Sequence, residues 1–193
     1  YIPQLLTAAS GISRFTHNPT TDESLGLFIE ESRTNMATYS SQFDNAAWTK
    51  GNSTITADTI VAPDGTLTGE KIVEDTANAR HQVYPLTTPT VVSGSVYTLS
   101  VFAKAAERTF LYLYEDSAST GGTAFFNLAT GTVGSVASGG VATMTAVGNG
   151  WYRCTVTSSA GTQGSYRMSA DGIADTYTGD GTSGIFIWGA QLE

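Results

Sequence analysis

Cysteine occurs once, at Cys154, so no disulfide can form within the chain and the fold does not rest on an oxidising compartment. Histidine occurs only at His17 and His81, and with a single cysteine this leaves no zinc-ligand spacing. Charged residues make up 13 % of the sequence, against about 25 % in an ordinary globular domain. No stretch approaches the roughly 20 apolar residues of a membrane-spanning helix. No charged-then-apolar segment opens the chain as a secretion signal would. The chain begins at Tyr1 rather than Met, which reads as a piece excised from a longer protein. No long run keeps a 3.6-residue period, and residues 41–48 are the one helix-like stretch. Nothing repeats at a fixed interval, which argues against a solenoid or propeller.

Cations are the scarcer charge, and the formal net charge is −8. Such a chain has no field to hold phosphates or anionic lipid, so nucleic acid and membrane are not expected partners. Threonine, serine and 21 glycines occupy the space that charge leaves. Nine tyrosines, eight phenylalanines and three tryptophans argue against disorder. At 193 residues the chain fits one domain with a short extra element.

Alternation with a period of two recurs along the chain. At 96–104, Tyr97, Leu99, Val101 and Ala103 fall on one face and Thr98, Ser100, Phe102 and Lys104 on the other. At 109–115, Leu111 and Leu113 oppose Phe110, Tyr112 and Tyr114. Further strands are expected at 53–60, 68–73, 82–86, 125–128, 141–147, 151–157, 166–170 and 185–192. Turn chemistry separates them: Pro63-Asp64-Gly65-Thr66, Ala129-Thr130-Gly131, and the hairpin signal Gly148-Asn149-Gly150. Eight to ten short strands with such turns imply an antiparallel all-β sandwich or barrel. Residues 1–34 differ. They carry a denser charge cluster, and strands at 12–16 and 25–30 predict an N-terminal hairpin or connector; a linker ordered only in the parent protein is the alternative. The domain proper is expected at 35–193.

Several segments then form a recognisable series. They are Arg33-Thr34-Asn35, Phe43-Asp44 with Trp48, Ala62-Pro63-Asp64-Gly65-Thr66, Tyr97 to Lys104, Gly150-Trp151-Tyr152-Arg153, and Tyr177-Thr178-Gly179-Asp180-Gly181-Thr182 running into Ile187-Trp188-Gly189-Ala190-Gln191-Leu192-Glu193. In this order they resemble a module of bacteriophage tail fibres and head-spike fibres, shared with the spikes of gene transfer agents. That module is similar to the jelly-roll carbohydrate-binding modules of glycan-active enzymes. The resemblance spans about residues 33–193. It implies a two-sheet jelly-roll sandwich on a virion appendage, outside the cell, adsorbing to cell-surface polysaccharide. It also implies membership of a larger fibre or spike, with a homotrimer as one arrangement left open. Modules of this kind often carry a structural calcium, and Asp64, Asp171, Asp175 and Asp180 are the carboxylates in turns or Gly-rich loops that could serve, with no ligand set assigned. No other cofactor is implied.

The resemblance supplies no ligand motif, so site candidates come from chemistry. A sugar is held by flat aromatic faces against its C–H surface and by planar polar groups at its hydroxyl pairs. Tyr112 and Tyr114 share a strand face with Arg108 further along it, and Trp151 shares one with Arg153. Together with Trp48 and His81 these are the carbohydrate-binding candidates. Tyr112 and Arg153 would need to meet on one open sheet. The plainer reading is that aromatics of a sandwich fill its core, with Trp151 as an end plug and Trp188 inside. Catalysis finds little support: the carboxylate pairs Glu30-Glu31, Glu74-Asp75 and Glu115-Asp116 are adjacent and face apart on a strand, and no nucleophile elbow or P-loop is present. Cys154 reads as a small buried residue. The expected function is therefore non-catalytic carbohydrate binding; a structural or oligomerisation module of the fibre is the alternative.

Overall fold

The computed structural model describes residues 14–17, 24–28, 34–87, 92, 95–115, 122–137, 139–158, 164–169, 172 and 174–193. Among them there is no helix. In chain order the strands are β1 (Arg14–His17), β2 (Ser24–Phe28), β3 (Trp48–Gly51), β4 (Ser53–Ile60), β5 (Gly69–Glu74), β6 (Asn78–Ala79), β7 (Gln82–Pro85) and β8 (Tyr97–Ala105). They continue as β9 (Phe110–Glu115), β10 (Thr123–Asn127), β11 (Thr132–Val136), β12 (Val141–Gly148), β13 (Trp151–Ser158), β14 (Gly164–Ser169), β15 (Tyr177–Thr178) and β16 (Gly184–Leu192).

Two six-stranded antiparallel sheets stack face to face. The first runs β11-β10-β9-β14-β7-β3 and the second β12-β13-β8-β16-β5-β4. Without the outermost strands the sheets read β10-β9-β14-β7 and β13-β8-β16-β5. The chain passes from one sheet to the other at each step from β5 through β7 and β8 to β9, and again from β13 through β14 to β16. That interleaving is the jelly roll. The pair β15 and β6 forms a small ribbon, and β1 with β2 a hairpin in which Phe15 pairs with Leu27 along the backbone.

The core follows from the alternation. Leu111, Leu113, Phe126, Val83 and Tyr166 face inward from the first sheet, and Leu99, Val101, Ala103, Cys154, Val156, Ile185 and Ile187 from the second. Phe43 and Trp48 join them, with ring centroids 4.7 Å apart and Tyr166 a further 5.8 Å from Trp48. At the β12–β13 hairpin, Asn149 and Gly150 both have positive φ (52° and 77°), as the tight turn read from the sequence requires. On β16 the register slips between Trp188 and Gln191, where Gly189 has φ 63°. The extra residue resets the phase, so Ala190 and Leu192 stay in the core and Gln191 turns outward.

Residues 41–48 are not helical. Three successive turns bond Gln42 N to Tyr39 O, Asn45 N to Gln42 O, and Trp48 N to Asn45 O. Other acceptors take the donors a helix would use: Phe43 N and Asp44 N donate to the Glu70 carboxylate at 2.6 and 3.2 Å, and Ala47 N to Asn45 Oδ1. β11 also escaped the sequence pattern, because Gly134 interrupts it and all five of its residues are exposed.

Glu70 is only 2 % exposed, and burial pushes its carboxyl up from an ordinary 4.5 to about 7. Between those values the folded state holds a proton that the unfolded state has released. This contribution to stability is therefore complete below about pH 4.5 and is lost as pH rises through about 7. Glu70→Gln keeps an acceptor for the Phe43 and Asp44 amides and removes the charge. Urea unfolding at pH 5 and pH 8 should show wild type weakening relative to E70Q by up to about 3 kcal/mol; parallel pH dependences would contradict the assignment.

Candidate functional site

On the outer side of the first sheet, alternation turns Phe110, Tyr112 and Tyr114 of β9 away from the core that Leu111 and Leu113 enter. Pairing sets Phe125 of β10 and Arg167 of β14 on either side of Tyr112. The Tyr112 and Phe125 rings stack at 4.1 Å with 17° between their planes. The Arg167 guanidinium lies 3.7 Å from the Tyr114 ring centroid and 5.8 Å from that of Tyr112. Arg167 is 5 % exposed and bonds Asp175, which Arg80 also meets at 3.0 Å. Burial pulls the Arg167 guanidinium down from its ordinary value and Asp175 opposes that pull. Gln82 pairs with Arg167 on its other side. The arrangement is a half-buried pair of tyrosines flanked by a ring on one neighbouring strand and a guanidinium on the other.

Arg153 does not join this surface. It sits on β13, in the second sheet, paired with Phe102 and Thr145. Both Tyr112 and Arg153 point away from the shared core, so they occupy opposite outer faces of the sandwich, and the single groove expected from them does not form. Beside Arg153, the rings of Phe102 and Trp188 lie 5.4 Å apart, and Trp188 Nε1 donates to Thr68 Oγ1 at 3.0 Å. Trp188 is thus on an outer face, not in the core. Trp151 shares the Arg153 face but is 2 % exposed, with Nε1 donating to Val61 O at 3.0 Å under the chain that follows β4. Trp48 is buried in the core, with its Nε1 donating to Tyr39 O at 3.1 Å.

Arg108 and His81 lie elsewhere, both against Tyr177; Arg108 holds the fully buried Glu74 carboxylate. Arg108 grips it with two bonds, Nε at 2.9 Å and Nη2 at 2.6 Å; Tyr177 Oη donates at 2.7 Å and Asp180 N at 2.8 Å. Burial alone would raise the Glu74 carboxyl, but these four donors outweigh it and hold it below the usual range. Burial and the adjacent carboxylate push the Tyr177 phenol up. His81 is fully buried against the Tyr177 ring, with Nδ1 2.7 Å from Asn52 O and Nε2 3.2 Å from Tyr177 O. Both of its ring nitrogens are directed at backbone carbonyls. The cluster engages Nε and Nη2 of Arg108 and both ring nitrogens of the buried His81 within the protein, and leaves the Arg108 side chain partly exposed.

The described aspartates named as calcium candidates have partners within the protein. Asp180 accepts from Thr182 N, Thr182 Oγ1, Ser183 N and Ser183 Oγ, which hold it below the usual range, the Ser183 hydroxyl foremost. Asp175 serves two arginines and Asp64 orders its own turn through Thr66. Among the described residues no three His, Cys, Asp or Glu side chains gather; Asp171 lies outside the described residues. Burial pushes the Cys154 thiol up, away from the thiolate a nucleophile needs.

Arg167 and Phe125 are the members of the first-sheet surface that pattern reading did not name. Alternation already turned Arg167 away from Tyr166, but only the pairing of β14 with β9 brings it to Tyr112. Arg108, by contrast, is a structural residue. Arg108→Ala should cost about 3–5 kcal/mol of unfolding free energy, because it strands a buried carboxylate; a loss under 1 kcal/mol in urea denaturation would contradict that role. Comparison with models of known protein families gives no match, and comparison with curated proteins gives none either.

Proposed function

We propose that the chain is a non-catalytic carbohydrate-binding domain of a phage or phage-like virion fibre or spike, adsorbing to host cell-surface polysaccharide through the outer face of the first sheet. The observation that carries the reading is the pair Tyr112 and Tyr114 braced by Phe125 and Arg167. Rings whose orientation is fixed before a ligand arrives lose little freedom on binding. Tyr112 and Tyr114 supply apolar surface and a hydroxyl each, the two kinds of contact a pyranose needs. The jelly-roll sandwich and the sequence resemblance over residues 33–193 support the same reading, as does a composition poor in cations. Binding at one such surface is shallow and weak, and the many copies on a virion appendage raise it by avidity.

A second reading, a structural or oligomerisation module of the fibre, is favoured by one observation. From residue 117 to 152 the sequence has no charged side chain. This stretch supplies β11 and β12, the outermost strands on one side of each sheet, with Val133, Val136 and Val141 exposed. Edge strands that remain solitary commonly carry charge. Sedimentation equilibrium separates the readings: a stable oligomer without glycan affinity favours the second.

Affinity electrophoresis in gels containing host capsule or exopolysaccharide tests the first. Wild type should be retarded, and Tyr112→Ala should weaken the apparent affinity roughly tenfold, the loss of one ring contact of about 1–1.5 kcal/mol. No retardation of wild type, or equal retardation of Y112A, would overturn it.

A further inference from the structure

We propose that Arg153 forms, on the face opposite Tyr112, a separate subsite for the carboxylate of an acidic saccharide; this rests on the reading of the chain as a glycan-binding domain. Nearly every described cation has an acidic or carbonyl partner. Arg80 and Arg167 share Asp175, Arg108 holds Glu74, and Lys71 meets Glu107 at 2.7 Å. Lys104 donates to Asn149 O, and Lys50 to the carbonyls of Asp44, Asn45 and Trp48. Among the cationic side chains described, Arg153 alone meets neither a carboxylate nor a backbone carbonyl. Its one acceptor is the neutral amide oxygen of Gln191, 3.0 Å from Nη2. Its Nε is buried with no hydrogen-bond partner.

An arginine left this way in a chain of net charge −8 is an unusual use of a scarce cation. A buried donor without an acceptor destabilises the folded state, more so when it belongs to a charged group. A planar carboxylate would remove that cost. By displacing the Gln191 amide it could accept from Nε and Nη2 together, the charge-assisted two-bond fork that guanidinium favours. Gln191 is on this face only because Gly189 resets the phase of β16. It bridges to Ser100 at 3.4 Å, a weak tether that leaves it displaceable.

The surroundings suit a sugar better than a bare anion or an acidic peptide. Thr145 pairs with Arg153 across the strands, and the hydroxyl pairs Thr143–Thr155 (2.6 Å) and Thr98–Thr157 (2.9 Å) continue along the same face. Each hydroxyl can both donate and accept, as saccharide hydroxyls do. The half-buried Trp188, on the side of Phe102, adds a ring at the border. No carboxylate pairs with Arg153 among the described residues, so an acidic ligand would not meet a competing charge there.

The test follows the Nε–Hε resonance of Arg153 in ¹⁵N-labelled full chain titrated with glucuronate, glucose and acetate. Glucuronate should give a saturable shift at least tenfold tighter than acetate, and glucose none. Arg153→Lys, which keeps charge but loses the fork, should weaken glucuronate binding about tenfold, whereas Tyr112→Ala should leave it unchanged. Absence of a glucuronate shift, or equal affinity for acetate, would overturn the proposal. Failure here alongside retardation of wild type by neutral polysaccharide would sink this subsite and leave the Tyr112 face standing. A glucuronate shift without such retardation would do the reverse.

Discussion

The apposition of Leu111, Leu113, Phe126 and Tyr166 to Leu99, Val101, Ile185 and Ile187 sets the phase of the long inner strands. Once those side chains meet, their neighbours have no choice of direction. Tyr112 and Tyr114 must face outward because Leu111 and Leu113 face inward, and Arg167 must face outward because Tyr166 does not. Surface chemistry on both faces is thus a consequence of the packed interior. The phase reset at Gly189 also decides that Gln191 rather than Ala190 stands beside Arg153.

A jelly roll with few charges has to spend its ionic contacts where apolar packing cannot reach. The Glu74 carboxylate ties β5 to the segment before β9 through Arg108, and to the segment before β16 through Tyr177 and Asp180. Glu70 does related work with backbone amides, holding the turns at 43–44 against β5. The two carboxylates titrate in opposite senses because their partners differ. Glu74 is stabilised as an anion by a guanidinium, whereas Glu70 has only amide donors against its burial.

How much of this was legible beforehand depends on the range of the interaction. Alternation is local, so the faces of 96–104 and 109–115, the β12–β13 turn and the two-layer architecture could be read directly. Sheet membership is not local. Nothing in residues 109–115 or 151–157 says that β9 and β13 lie in different sheets, and that is what separates Tyr112 from Arg153. Trp151 shares the Arg153 face, as alternation implies, but its cover comes from Val61, ninety positions away. Arg108 and His81 are candidates on local chemistry alone; their shared partner Tyr177 lies about seventy to a hundred positions further on. Near Ser41 the apolar spacing imitates a helix, and only the distant Glu70 shows where those amide donors go.

The proposed glycan site is the Tyr112–Tyr114 face. Ring resonances of ¹³C-labelled tyrosine, recorded with oligosaccharide fragments of the host polysaccharide, report this face directly. The signals of Tyr112 and Tyr114 should move together and saturate, while that of Tyr166, sealed in the core at 1 % exposure, stays in place. Saturable binding that leaves both outer tyrosines unmoved would contradict the claim.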